Sequence, residues 1–290
     1  MRFLFVDDIT ELTLGVMARG VKRVTADDYY LRQDKAGQWC FIPTLIGEAL
    51  GQLAAWNVMA SNDFLTRPVA GIAACALLHR TAYVGETLLL EVHIDRLDST
   101  AVQYHGEASI GDEVVFSLEG ALGPLLPMAN FIDDHVVRQQ FSAIHPSRRL
   151  HQEPTNAPAA EPLRSPPMTF DNIIACEPGA QLIAEKYISH TSPYFADHFP
   201  NKPVLPMTVL LECLINLADE FVARAGYQGT YVCKKMRRVK MSDFIIPGDR
   251  LMGSLVLKNK TDTEFSLVCR CEVSGKRVGT LELIMGLRDE

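Results

Sequence analysis

Tyr194-Phe-Ala-Asp-His198-Phe-Pro-Asn-Lys-Pro-Val-Leu-Pro206-Met-Thr-Val-Leu-Leu-Glu212 runs a stiff loop straight into an apolar helix. Pro200, Pro203 and Pro206 fix φ along the loop and hold Phe199 extended, so His198 has little orientational freedom left to lose. A histidine held this way suits proton transfer at a fixed carbon. Pro206 opens a helix expected to reach Arg224 and close at Gly226, because a proline's missing N–H would be unpaired in the first turn anyway.

The same pattern occurs a second time, nearer the start. Pro43 opens a helix-like stretch reaching Met59, closed by Ser61-Asn62, and Glu48 lies 164 residues before Glu212. The same offset relates Lys22 to Lys186, Tyr30 to Tyr194 and Gly111 to Gly275, while Val84–Leu88 matches Pro247–Leu251 at 163. Strand-like runs follow each helix: Leu88–Ile94, Ala101–Ala108 and Val114–Leu122, then Leu255–Lys258, Glu264–Val273 and Arg277–Leu287. Both helices are too apolar for a surface. Each half therefore reads as one long helix wrapped by an antiparallel sheet, an α+β arrangement.

Between the halves the composition changes. Eight of the sixteen prolines lie from Pro124 to Pro167, and His151–Pro167 is polar and rich in proline and alanine. The expected organisation is a first unit over 1–125, a linker over 126–165 and a second unit over 166–290. Within the linker, the amphipathic segment Phe131–Ile144 is expected to dock as a helix.

The chain has 290 residues, long enough for two such units, and 28 Lys and Arg against 35 Asp and Glu argue against nucleic acid as the partner. The seven cysteines are scattered without a CxxC pair and read as reduced core residues; two of them, Cys269 and Cys271, share a strand face without making a metal site. Met1–Asp8 meets acidic residues too early for a signal peptide, and no apolar run approaches the roughly 18 residues of a membrane span. A cytoplasmic protein without metal or cofactor is the expectation.

His198-Phe-Pro-Asn-Lys-Pro-Val-Leu-Pro206, followed by Glu212 fourteen residues after the histidine, resembles the signature of the FabA/FabZ-type 3-hydroxyacyl-[acyl-carrier-protein] dehydratases of the hotdog superfamily. Arg237–Asp249 resembles that family's strand leading into its P-G-D turn. Phe5-Val-Asp-Asp8 resembles its N-terminal L-V-D-R, and Glu48-Ala-Leu-Gly-Gln52 its helix motif E-A-x-x-Q. The resemblance covers nearly the whole chain outside the linker and implies a double hotdog, a pseudo-dimer within one chain, with further homodimer formation left open.

In that family each site takes its histidine from one subunit and its carboxylate from the other. The resemblance therefore implies that His198 faces Glu48, with Gln52 one turn along the same helical face. His198 would act as base and Glu48 as acid, its pKa raised by an apolar setting, in eliminating water from a 3-hydroxyacyl thioester to give a trans-2-enoyl thioester. Tyr194, Phe199, Pro206, Met207 and Thr208 are the expected substrate and oxyanion residues, the helix-start amides polarising the thioester carbonyl. Met207 departs from the family's glycine, which places a long side chain where the acyl group is expected; it either redirects the pocket or fills the core. The same 164 offset sets Asp34 opposite Glu212, which implies one working site and one relic in which Glu212 and Asn216 are structural.

The run Lys234-Lys235-Met-Arg237-Arg238 stands out in an acidic chain and fits docking of an acidic acyl carrier protein; its plainer reading is a solvated strand face. Gly47 and Gly51 either let two helices pack closely or admit an acyl chain. Two other functions share the fold: a hotdog acyl-thioesterase, in which the helix acid activates water, and a noncatalytic acyl-binding or scaffold member of a biosynthetic complex.

Overall fold

Two long helices lie side by side at the centre of the molecule, α1 (Thr44–Ser61) and α3 (Met207–Ala225). The computed structural model describes residues 3–145 and 167–288. Most of the expected linker segment His151–Pro167 lies outside the described residues.

Pro43 and Pro206 flank the helix starts, Asn62 closes α1, and Gly226 closes α3 in the left-handed conformation at φ +66° that only glycine adopts without strain. Both helices are buried on almost every side. Leu45, Ile46, Leu50 and Leu53 are fully enclosed, each contributing about 2 kcal/mol by leaving water. Asn57, in the same helix and fully buried, has every hydrogen-bonding atom used: its amide donates to the Thr13 and Met17 carbonyls and its oxygen accepts from Gly15 N.

The first unit contributes β1 (Asp8–Thr13), β2 (Met17–Arg23), a short hairpin of β3 (Leu31–Gln33) and β4 (Trp39–Phe41), then after α1 β5 (Thr66–Pro68), β6 (Ile72–Leu78), β7 (Thr87–Leu97), β8 (Ala101–Ile110) and β9 (Glu113–Pro127). Next comes α2 (Asp134–Ile144). The second unit has β10 (Asn172–Glu177) and β11 (Gln181–Tyr187) before α3, and β12 (Tyr231–Met241), β13 (Arg250–Lys260), β14 (Glu264–Val273) and β15 (Lys276–Leu287) after it.

Apart from the β3-β4 hairpin, which is a separate two-stranded sheet, these strands form one antiparallel sheet in the order β1-β2-β7-β8-β9-β6-β12-β15-β14-β13-β11-β10, with β5 on the side of β9. The order reads the same from either end once the units are exchanged: a double hotdog fused in one chain. At its middle β6 pairs with β12, Ala76 opposite Met236, so the two units share a continuous ladder. At its ends lie β1 and β10, six residues each, both interrupted by a bulge. Among the described residues no helix is long and apolar enough to cross a membrane.

Candidate active site

His198 leaves a short 3-10 turn over Pro193–Ala196, and its backbone is pinned on both sides: its N–H donates to the Tyr194 carbonyl at 2.9 Å and its carbonyl accepts from Val204 N at 3.0 Å. The side chain is pinned too. Nδ1 lies 2.8 Å from the Val204 carbonyl, which has no proton to give, so Nδ1 carries the hydrogen and Nε2 is left with its lone pair. Phe199 stacks on the imidazole at 4.0 Å, and Phe3 meets it edge-on at 5.8 Å. Burial pushes the imidazole below its ordinary value, the Arg67 guanidinium adds to that, and the Glu48 carboxylate and the Val204 hydrogen bond pull the other way.

Glu48 comes from the other unit, on α1. Its Oε2 accepts from the Thr208 hydroxyl of α3 at 2.7 Å and its Oε1 from the Gln52 amide, one turn along, at 3.1 Å. Gln52 is fixed in turn, accepting from Phe5 N at 2.8 Å and donating to the Phe3 carbonyl.

His198, Phe199, Met207 and Thr208 of the second unit and Glu48 and Gln52 of the first all line one cavity of about 380 Å³. Gly47 and Gly51 form part of its wall; a Cβ on Gly47 would lie 3.1 Å from the Phe116 ring and one on Gly51 3.4 Å from the Tyr104 hydroxyl. Met207 is half-buried and lines the same space. Tyr194 and Pro206 lie behind the wall, Tyr194 supporting His198 through its carbonyl and Pro206 accepting from Leu210 N at 3.1 Å.

The basic run does not join the cavity. On β12, Met236 and Val239 face the cavity, while Lys234 and Lys235 border a separate dent of about 10 Å³. Arg237 is engaged by Glu282 at 3.2 Å, and Arg238 is exposed. Among the described residues no cluster of three or more metal-ligating side chains occurs.

The mirror position differs from expectation in one respect. Arg32, not Asp34, faces Glu212, its Nη1 donating to Oε1 at 2.5 Å while the Thr44 hydroxyl donates to Oε2 at 3.0 Å. The first unit folds β3 and β4 into a hairpin before its helix. Asp34 is drawn into that turn, accepting from Ala36 N and Gln38 N at 2.9 Å each and from the Tyr83 hydroxyl. Glu212 is 1% exposed; burial pushes its carboxyl up against the pull of Arg32 and Thr44. By the 164 offset Leu211 and Ile215 correspond to Gly47 and Gly51; Ile215 borders the dent of about 10 Å³, while Leu211 lines the large cavity. Asn216, the counterpart of Gln52, keeps a structural bond to the Met168 carbonyl at 2.8 Å.

Arg67 is the residue that motif reading passed over. Its guanidinium lies 3.8 Å from the Phe199 ring centre and lines the cavity, and its Nε is buried with no hydrogen-bond partner among the described residues. Burial lowers its pKa to about 9 despite Glu48 nearby. The sequence signal was a single charge in the otherwise apolar or neutral run Phe64–Ile72.

A family model described as ApeI-like, ApeI dehydratase, matches residues 175–277. The chain is similar to proteins named 3-hydroxyacyl-[acyl-carrier-protein] dehydratase FabZ. That of Bartonella quintana is 32% identical over 125 residues, 42% of this chain and 81% of the relative. That of Latilactobacillus sakei is 31% identical, covering 42% and 89%. A third, from an Anaeromyxobacter species, is 32% identical but matched over only 61% of its length, and over 31% of this chain. Among solved structures, the tesB protein of Mycobacterium avium subsp. paratuberculosis superposes with a TM-score of 0.60 at 13% identity, covering 98% of this chain and 97% of its own. An acyl-ACP thioesterase from Bacteroides thetaiotaomicron gives 0.53 at 13%, covering 92% and 97%. At such identities these two likenesses speak to the fold alone.

Proposed function

Because the chain belongs to the FabA/FabZ-type 3-hydroxyacyl-[acyl-carrier-protein] dehydratase family of the hotdog superfamily, in tandem double-hotdog form, we propose that it removes water from 3-hydroxyacyl thioesters at one composite site. The observation that carries this reading is the shared cavity of His198 and Glu48, one from each unit, with the imidazole Nε2 lone pair available.

The base is His198. Its Nε2 takes the α-proton, and the electron pair of that C–H bond becomes the new C=C bond as the bond from the β-carbon to oxygen breaks. Glu48 supplies the proton with which the hydroxyl leaves as water. Each proton transfer contributes on the order of 10²–10⁴ in rate. Thr208 and Gln52 hold the carboxyl on its rotamer, so little orientational entropy is lost at the moment of reaction. The first backbone amides of α3, at Met207 and Thr208, have no partner within their own helix and suit a thioester oxygen that gains negative charge.

The carrier is read as an acidic acyl carrier protein presenting its phosphopantetheine thioester, with Arg238 as the exposed residue of the basic run and Lys234, Lys235 and Arg237 partly buried beside it. A thioesterase would use the same acid on the same helix to activate water. Incubation with a 3-hydroxyacyl carrier thioester separates the two: enoyl product without free thiol supports dehydration, and free thiol without enoyl product overturns it.

A further inference from the structure

The segment between the units touches the cavity at two places. Phe131, fully buried, packs on Phe199 at 5.1 Å, and its carbonyl accepts from Asn201 N at 2.9 Å, so the loop bearing His198 leans on it. Farther on, Ile132, Val137 and Gln140 line the same cavity as His198 and Glu48. On the α1 side the lining extends beyond Glu48 as far as Met59, about 16 Å at the helical rise of 1.5 Å per residue. Trp56 and Met59 mark the end remote from the carboxylate, and α2 closes that end: Phe141 packs on Trp56 at 5.9 Å and on Phe64 at 5.4 Å.

The helix is fastened from outside as well. Arg138 donates to the Asp63 carboxylate at 2.9 Å and to its carbonyl at 2.8 Å, and holds Asp134 one turn back. Val137, 1% exposed, is the residue that α2 buries. A side chain shielded from solvent that lines a cavity limits what the cavity holds, because an apolar pocket discriminates by roughly 10- to 200-fold for a single methylene.

We infer that α2 is the floor of the acyl chamber and that Val137 sets the longest acyl chain the protein accepts. This rests on reading the cavity as an acyl-thioester site. A methyl in place of isopropyl deepens the chamber, and a phenyl ring shortens it.

Val137→Ala and Val137→Phe are compared with the unaltered chain on 3-hydroxyacyl carrier thioesters of graded length. In parallel, calorimetry follows the binding of unreactive acyl-pantetheine amides of the same lengths. The expected result is an opposite movement: Val137→Ala raises the ratio of long-chain to short-chain kcat/KM by about 10-fold, and Val137→Phe lowers it by as much. General damage to folding would depress all lengths alike and leave the ratio in place. A binding cut-off that moves with residue 137 supports the inference even if no enoyl product forms, in which case the dehydratase reading alone falls. Active protein whose length profile and binding cut-off are the same in all three forms overturns it.

Discussion

Thr208, in the first turn of α3, donates its hydroxyl to Glu48 of α1 at 2.7 Å. The reciprocal bond, Thr44 to Glu212 at 3.0 Å, links the same two helices in the opposite sense. Equivalent threonines thus hold equivalent acids, yet the surroundings have diverged: Glu48 looks into a cavity with His198, and Glu212 is bound by Arg32.

His198→Ala and Glu48→Gln are each expected to lower kcat by 10²-fold or more, the usual worth of a positioned proton donor or acceptor. Glu212→Gln is expected to leave turnover within a few-fold of the unaltered chain. Removing the anion leaves Arg32 without its partner, so stability falls by about 1–3 kcal/mol. Enoyl formation and thermal unfolding of the three variants provide the check; comparable loss of turnover in all three would contradict a single composite site.

The pH dependence follows from the direction of the His198 shift. With its pKa held below the ordinary value, the imidazole remains a neutral base as pH falls through about 6.5, and the acid limb of kcat/KM lies below that. The unfolded chain takes up the proton first, so this group also costs stability as pH drops through the same value. Arg67→Met keeps the packing on Phe199 but removes a positive charge that lowers the imidazole pKa. The acid limb then moves to higher pH, readable from a rate profile or from the histidine resonance.

Gly51→Ile copies the residue found at the mirror position, Ile215. Its Cβ would lie 3.4 Å from the Tyr104 hydroxyl, an ordinary contact, so the helix survives while the chain fills the chamber. KM for acyl substrates is expected to rise at least 10-fold without a matching fall in unfolding temperature.

Arg238→Glu tests the docking role of the basic run. The side chain is exposed and does not line the cavity, so the expected effect is a rise in KM for carrier-bound substrate, abolished by salt, and none for the same acyl group on free pantetheine. Equal effects on both substrates would place the residue outside carrier recognition.

Much of this architecture was legible because it is carried by local signals. Prolines at the helix starts, Gly226 at a helix end and the alternation of Leu, Val and Ile in β7, β8, β14 and β15 each act within a few residues. The pairing of β6 with β12 was not legible, since nothing in Ile72–Leu78 names a partner so far along the chain. Counting 164 residues misplaced Asp34 for a similar reason: a constant offset assumes equal loops, and a hairpin replaces the triple-proline loop there. That His198 and Glu48 line one cavity was legible only through the family motif. Arg67 and Val137 belong to no motif and became visible once the cavity was formed.

The joining of β6 to β12 has a bearing on solubility. Each unit alone would offer a long strand with unsatisfied amides and carbonyls, a template for further copies to pair with. Fusion spends those two edges on each other. Among the described residues, β1 and β10 are the end strands of the large sheet, and a kink in each, between Ile9 and Glu11 and between Ile173 and Ala175, spoils the regular spacing an incoming strand would need. Growth by edge pairing is thereby disfavoured at both ends of the large sheet.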